Sequence, residues 1–436
     1  MALHAAAMPS EVPARAPAVS RGYAWVVFAL TFGLLLSDYM SRQVLNAVFP
    51  LLKAQWSLSD AQLGSLSGVV ALMVGLLTFP LSLLADRWGR VRSLVLMAAL
   101  WSLATLGCAI SASYGQMFAA RFCMGVGEAA YGSVGVAVIL SVFPAHMRAT
   151  LTGAFTSGGA FGSVLGIALG GVVAVHFGWR WSFGAMAAFG LMLVLVYPLV
   201  VTERRLMLGS PSATQDHLRR LSPAPQFKTL LPGLFSVPSV VCAYIGSGLQ
   251  LFIIGSLLAW MPSFLNRYYH MAPDKAGPAA AVFVLITGIG MIACGALTDK
   301  LSRNFAVRKW LMAILYCLGS FVLLMTAFQL QPGTLQLVLL GLGMFAVVGT
   351  IGPAGAMVAN LTHPRIHATA FATLTLVNNL LGLAPGPFVT GMIADRLGLL
   401  GALQIVPTVS LLAVAAFIVG RRHYAQDLRR VTLPKS

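Results

Sequence analysis

Apolar residues follow one another along this chain in runs of about twenty or more, separated by short stretches of charge, proline and glycine. At 1.5 Å of rise per residue, a run of that length forms a helix able to cross a hydrocarbon core ~30 Å thick. Reading each run between its bounding polar residues predicts helices near 22 to 49, 60 to 85, 91 to 112, 115 to 143, 147 to 176 and 179 to 201. After a break, six more are predicted near 236 to 268, 274 to 298, 306 to 329, 333 to 361, 365 to 394 and 398 to 422. An even number of crossings places both chain ends on the same side.

The break, 202 to 235, holds Glu203, Arg204, Arg205, Asp216, Arg219, Arg220, Lys228 and four prolines, so it reads as a polar linker. The halves on either side of it echo each other. Leu84-Ala85-Asp86-Arg87-Trp88-Gly89-Arg90 after the second helix is answered by Leu297-Thr298-Asp299-Lys300-Leu301-Ser302-Arg303 after the eighth. Likewise, Ala149-Thr150 and Ala368-Thr369 each open a helix that ends at a glycine, Gly178 or Gly398, seven residues after Gly171 or Gly391. Parallel six-helix repeats are a transporter architecture. The expected fold is therefore an all-α membrane protein with twelve transmembrane helices in two six-helix repeats, which the family resemblance given below makes two six-helix bundles. Its expected divisions are a disordered cytoplasmic N-terminus at 1–21, bundles at 22–201 and 236–422 joined by the cytoplasmic linker 202–235, and a cytoplasmic tail at 423–436.

Composition agrees with the helix pattern: 58% of residues are hydrophobic and 9% charged, where a soluble domain carries roughly a quarter charged. The net charge of +17 would suit nucleic acid if the 28 basic residues were clustered. Instead they lie between the apolar runs. With the N-terminus inside, 21 fall in cytoplasmic segments, 5 outside (Lys53, Arg180, Arg267, Lys275, Arg396) and 2 within helices. This positive-inside bias makes the lipid bilayer the partner, excludes nucleic acid, and predicts both termini in the cytoplasm of a bacterial-type inner membrane. The first twenty residues are rich in Ala and Pro and lack an apolar run ahead of Arg21, so no cleavable signal peptide is expected. Cys108, Cys123, Cys242, Cys294 and Cys317 all sit in apolar runs without metal-ligand spacing. Neither disulfide, metal nor cofactor is expected.

Charges inside the membrane carry the most information, because each costs at least ~2.5–3.5 kcal/mol to insert at the bilayer centre. Asp38 and Arg42 lie four residues apart on helix 1, and Arg121 and Glu128 seven apart on helix 4, so each pair shares a helix face. The two acids fall near mid-membrane and the two arginines outward of them. A static ion-pair network would be a poor stabiliser, since desolvation offsets much of its Coulomb gain. An acid that exchanges its arginine partner for a proton would instead couple a proton to a conformational change. Two arginines facing one cavity also suit a carboxylate or phosphate. Tyr244, Ser247 and Gln250 on helix 7, with Asn378 and Asn379 on helix 11, are further candidates for solute contact, although interhelical hydrogen bonding explains each as well. The eight histidines fall in loops, helix ends or termini and suggest no proton relay.

The loop Asp86-Arg87-Trp88-Gly89-Arg90 between helices 2 and 3 resembles the signature loop of the major facilitator superfamily, and its echo at Asp299, Lys300 and Arg303 strengthens the likeness. Further matches are Arg121-Phe122-Cys123-Met124-Gly125-Val126-Gly127-Glu128-Ala129, Gly178-Trp179-Arg180-Trp181-Ser182-Phe183, and Asn379-Leu380-Leu381-Gly382 with Gly386-Pro387. Within that superfamily, Tyr39-Met40-Ser41-Arg42-Gln43-Val44-Leu45 and Trp260-Met261-Pro262-Ser263-Phe264-Leu265 are similar to the bacterial Spinster-like proteins and the anion:cation symporters. Those relatives commonly carry an Asp directly before this Arg, whereas position 41 is Ser and the nearest acid is Asp38. On helix 5, Gly158, Gly162, Gly166 and Gly170 run without the Gly-Pro of many drug antiporters, a pattern suited to close helix packing.

The resemblance implies the two-bundle, alternating-access fold, conformational roles for the two loops, and helices 1 and 4 facing each other, which would join the four charges into one compensated cluster. It adds lysolipids, sphingolipids and organic acids as solute classes. The function expected is a secondary active transporter of a small organic solute, anionic or lysolipid-like, with the proton as coupling ion; a facilitative carrier is weighed beside it, and symport, antiport and uniport stay open. A non-transporting membrane receptor that kept the fold is the alternative. An intramembrane enzyme is not expected, because the helices show no Ser/His pair, paired aspartates or metal-ligand His cluster.

Overall fold

The computed structural model describes residues 20–144, 147–203, 205, 206, 235, 237–303, 305–362 and 367–432. The N-terminal segment 1–19, most of the expected linker and residues 433–436 lie outside the described residues. Each apolar run is a helix. The first half supplies α1 (Arg21–Trp56), α2 (Asp60–Trp88), α3 (Arg90–Ile110), α4 (Tyr114–Val142), α5 (Arg148–Phe177) and α6 (Trp179–Val200). The second supplies α7 (Pro238–Tyr268), α8 (Pro273–Ser302), α9 (Arg308–Gln329) and α10 (Thr334–Leu361). The remaining helical stretch is broken at Gly398, whose φ of 74° and ψ of 161° no helix tolerates, giving α11 (367–397) and α12 (399–432).

Two boundaries differ from the sequence expectation by more than four residues. Pro50 reads as a helix end, yet α1 passes through it to Trp56 and stops where Ser57 turns left-handed at φ 51°. Within packed membrane helices, neighbouring groups make good the hydrogen bond that a proline removes. At the other end of the chain, α12 continues past 422 to Thr432, because Arg421, Arg422 and Arg429 end the apolar run without ending the helix.

Large apolar side chains such as Leu103, Leu195, Leu199, Ile292 and Leu412 point outward from the bundles, as helices that meet lipid require. The two halves pack on each other through α5 against α8 and α2 against α11. The echo seen in the sequence has a structural meaning here. Gly178 and Gly398 both take positive φ, 90° and 74°, to join consecutive helices. Gly171 lies on the Pro273 carbonyl and Gly391 on the Asp60 carbonyl, so closely that a Cβ at either would strike backbone of the opposite half. The ridge Gly158, Gly162, Gly166 and Gly170 packs on Phe32, Leu36, Tyr39, Met40 and Val44 of α1. These close approaches bring α1 to the interface between the halves.

Candidate functional site

Between the two halves lies a cavity of about 170 Å³ whose walls are chemically unequal. The first half contributes Tyr39, Arg42, Gln43, Asn46, Ser67, Arg121 and Ser163; the second contributes Gly255, Leu258, Ala259, Leu383 and Pro387. Tyr39, Arg42, Gln43 and Asn46 recur at helical spacing, so α1 turns one polar stripe to the opening. Gln43 and Asn46 were legible in that stripe, but sequence reasoning followed only its charges.

Arg42 reaches in two directions. The residue lines the cavity, and its Nη1 lies 3.7 Å from Oε2 of Glu128, whose side chain is 2% exposed. Asp38, one turn before Arg42, is likewise buried and within electrostatic reach of Glu128. Asp38 Oδ1 and both Glu128 oxygens have no hydrogen-bond partner among the described residues. Immediately after Glu128, α4 breaks into a turn at Ala129 and Ala130 before resuming at Tyr131. The acid therefore sits at a discontinuity of its helix.

Arg121 does not join this group in the way expected. Its guanidinium donates to the carbonyls of Leu66 (3.2 Å), Ser41 (3.2 Å) and Arg42 (3.1 Å) and contacts Met124 Sδ at 3.2 Å. It is 1% exposed and ties α4 to α1 and α2. The four charges thus divide into Asp38, Glu128 and Arg42, which meet, and Arg121, which braces the backbone that carries Arg42. A guanidinium with five fixed donors suits that bracing, and the sequence spacing alone could not reveal that carbonyls would claim them.

The candidates for solute contact in the second half are placed away from the cavity wall. Tyr244 Oη donates to the Ala370 carbonyl at 3.3 Å, and Gln250 Nε2 donates to Ser410 Oγ at 3.1 Å inside the bundle. Ser247 is buried on the same helix. Asn379 Nδ2 donates to the Thr375 carbonyl at 2.9 Å, and a Cβ on Gly75 would press on its side chain. Asn378 and Asn379 open a π-helical turn, Asn378–Leu383, that precedes Pro385 and Pro387.

The two signature loops also differ. Gly89 adopts φ 98°, and a Cβ there would meet Glu203 Oε1 at 3.2 Å. Glu203 accepts from the Arg90 and Val91 backbone N–H groups at 3.0 and 2.9 Å, capping α3 across the end of α6. Arg87 is exposed, and the side chain of Asp86 lies outside the described residues. In the second half α8 continues through Lys300 to Ser302, with Asp299, Lys300 and Arg303 exposed. At Ser302, the position that matches Gly89, the second copy is still helical.

At the end of the molecule opposite the two described chain ends, one acid clasps both halves. Asp60, at the start of α2, receives Lys53 at 2.6 Å and both guanidinium nitrogens of Arg267 from α7, at 2.7 and 2.8 Å. In return Asp395 of α11 accepts from the Asp60 and Ala61 backbone N–H groups at 2.6 and 2.9 Å. Lys53 and Arg267 read in the sequence as loop charges; their convergence on Asp60 depends on contacts between distant helices.

Two bundles of membrane-crossing helices around a central cavity, joined at one end by a clasp between them, define a multi-pass transporter that works by alternating access. The chain belongs to the Major Facilitator Superfamily, whose model matches residues 31–387. It is 26% identical over 456 residues to protein spinster homolog 1 of Mus musculus, covering 96% of this chain and 84% of that one. It is 23% identical over 406 residues to an Escherichia coli protein named "Probable L-galactonate transporter", covering 89% of this chain and 86% of that one. A bacterial homologue of the human lysosomal transporter Spinster, solved in an inward-facing, unoccupied conformation, has the same fold. Its TM-score is 0.82 at 21% identity, over 95% of this chain and all of the other. The protein is a transporter and not an enzyme.

Proposed function

We propose that this chain carries a small organic anion across a bacterial inner membrane, coupled to a proton held by the Glu128 and Asp38 pair. One observation carries the reading: Arg42 lines the cavity while its guanidinium lies 3.7 Å from the buried Glu128 carboxylate. When Glu128 is ionised it competes for Arg42. When it is protonated that competition ends, and Arg42 is free to take a carboxylate through paired, charge-assisted hydrogen bonds. Proton and anion thereby enter the same conformational state, which is the requirement for symport. The cavity, at about 170 Å³, favours a small anion over a lysolipid, since sites for drug-sized molecules span ~300–1,000 Å³.

The basic-residue bias puts both termini in the cytoplasm. In that orientation the Asp60 clasp closes the periplasmic side. Opening it and closing the cytoplasmic side completes the cycle. The test is uptake of a panel of organic acids and lysolipids by proteoliposomes, with an imposed pH gradient and with a protonophore. Accumulation of an organic acid that collapses with the protonophore is expected. Equal accumulation in both would overturn coupling, and transport of none of the panel would favour the receptor alternative.

A further inference from the structure

The polar wall beside Arg42 is a directed chain of hydrogen bonds. Ser67 Oγ on α2 donates to Asn46 Oδ1 at 2.6 Å, and Asn46 Nδ2 donates to Gln43 Oε1 at 2.7 Å. Each bond fixes the orientation of the next group. Asn46 has its oxygen occupied by the serine and one N–H by the glutamine; Gln43 has its oxygen occupied and keeps its NH2 as donor. The chain ends in a fixed amide donor at Gln43 and a serine oxygen with acceptor capacity at Ser67, and both residues line the cavity next to Arg42.

A brace between α1 and α2 would use the same bonds, but it would not need its two ends open. Gln43 and Ser67 are only half-buried, while Asn46 between them is buried. The opposite wall, made by Gly255, Leu258, Ala259, Leu383 and Pro387, carries no polar side chain. Side-chain recognition of polar groups on a solute therefore falls to the first half.

We infer that the Gln43, Asn46 and Ser67 chain reads a hydroxyl group on the solute, so that the transported anion is a small hydroxylated carboxylate. This rests on the organic-anion reading given above. A hydroxyl accepts and donates at once, matching an amide donor at one end of the chain and an oxygen acceptor at the other. A carboxylate only accepts, and it is the group for Arg42. An unsubstituted alkyl acid would satisfy Arg42 and leave the amide and serine without partners, the situation in which sites built for a hydroxyl reject an analogue lacking it. The apolar wall faces the carbon skeleton.

Binding to the purified full-length protein decides this, because it avoids passive permeation of the alkyl acids. Gluconate is compared with hexanoate, and glycerate with propionate, by titration calorimetry and by protection against thermal unfolding. The hydroxylated member of each pair is expected to bind about tenfold or more tightly. Gln43→Leu and Ser67→Ala should each reduce that preference to within about threefold. Both variants are read as a ratio of two ligands on one protein, so a general loss of folded material does not imitate the result. Equal binding of the members of each pair by the wild-type protein overturns the inference while leaving the anion reading intact. A preference unchanged in both variants overturns the role of the chain. Binding of none of the four acids, with lysolipid bound instead, overturns the anion reading and this inference together.

Discussion

The two bundles repeat one architecture with different interiors. In the first, the buried polar groups include Asp38, Arg121 and Glu128, with Arg42 linking them to the cavity. In the second, Gln250 donates to Ser410 Oγ at 3.1 Å, and Ser410 and Ser320 hydroxyls lie 3.4 Å apart, a neutral cluster inside the bundle. Its cavity wall is apolar. Duplicated folds can therefore divide the labour. On the function proposed above, the first bundle supplies the groups for a charge and a proton, the second supplies the apolar wall opposite them, and the Asp60 clasp joins the two at one end. Glycine contacts at equivalent places, Gly171 and Gly391, serve both halves alike, because packing has to be symmetric where chemistry does not.

If that division holds, the largest effect belongs to the acid at the helix break. Glu128→Gln keeps the shape and removes the charge, so proton-driven accumulation in proteoliposomes should be lost while the protein remains folded. Glu128→Ala removes the partner of Arg42 as well, and should lower stability by about 3–5 kcal/mol if Arg42 stays desolvated. Accumulation retained in Glu128→Gln would move the coupling role to Asp38, which Asp38→Asn checks in the same assay. Thermal unfolding of the Gln variant far below wild type would favour a static network instead.

The signature loops offer a second contrast. Gly89→Val forces a branched side chain to φ 98° against Glu203, at about 1–3 kcal/mol for the backbone alone. At the matching position of the second half Ser302 is helical and buried, and Ser302→Ala, which meets no backbone strain, should cost only its hydroxyl's bond to the Thr298 carbonyl, about 0.5–1.5 kcal/mol. Equal melting temperatures for the two variants would contradict the difference between the loops.

The clasp should respond more weakly. Asp60→Asn retains hydrogen-bonding capacity but loses its charge for Lys53 and Arg267, which lowers the stability of the closed end by about 1–3 kcal/mol. A reporter cysteine at Ala259, on the apolar cavity wall, in a background with the five native cysteines replaced should then react faster with an impermeant maleimide added from the side that carries the clasp. An unchanged rate would mean that helix packing alone, at sites such as Gly391, keeps that end shut.

How far each of these features was readable from the chain follows from the range over which its cause acts. Helix number, the repeat and the buried charges are properties of local runs, since a twenty-residue apolar stretch has one way to cross a bilayer. Pro50 misled because a packed neighbour, not the local sequence, decides whether a proline ends a helix. Arg121 and Glu128 share a face of α4, yet only the approach of α1 and α2 shows that carbonyls occupy the first and Arg42 meets the second. Glu203 read as linker charge because its partners, the Arg90 and Val91 N–H groups, are more than a hundred positions earlier. The cavity wall was half legible: the stripe Tyr39, Arg42, Gln43 and Asn46 has helical spacing, while Ser67 joins it from another helix.

The smallest predicted effect is the one that most directly challenges the asymmetry. Gln250 is 1% exposed, and its amide nitrogen bonds Ser410. Gln250→Leu removes a polar group whose Oε1 already lacks a partner among the described residues, so part of the lost hydrogen bond is offset by relief of that buried oxygen. Ser410 keeps the Ser320 hydroxyl nearby. The two side chains are similar in size, and the expected change in stability is below about 1.5 kcal/mol in either direction. Initial uptake rate should stay within about threefold of wild type, because no charge is removed and Gln250 does not line the cavity. The comparison with Glu128→Gln is then between one buried side chain from each half, one losing a charge and the other an amide. A loss of accumulation in Gln250→Leu as complete as in Glu128→Gln, with the protein still folded, would show that the second bundle carries chemistry of its own.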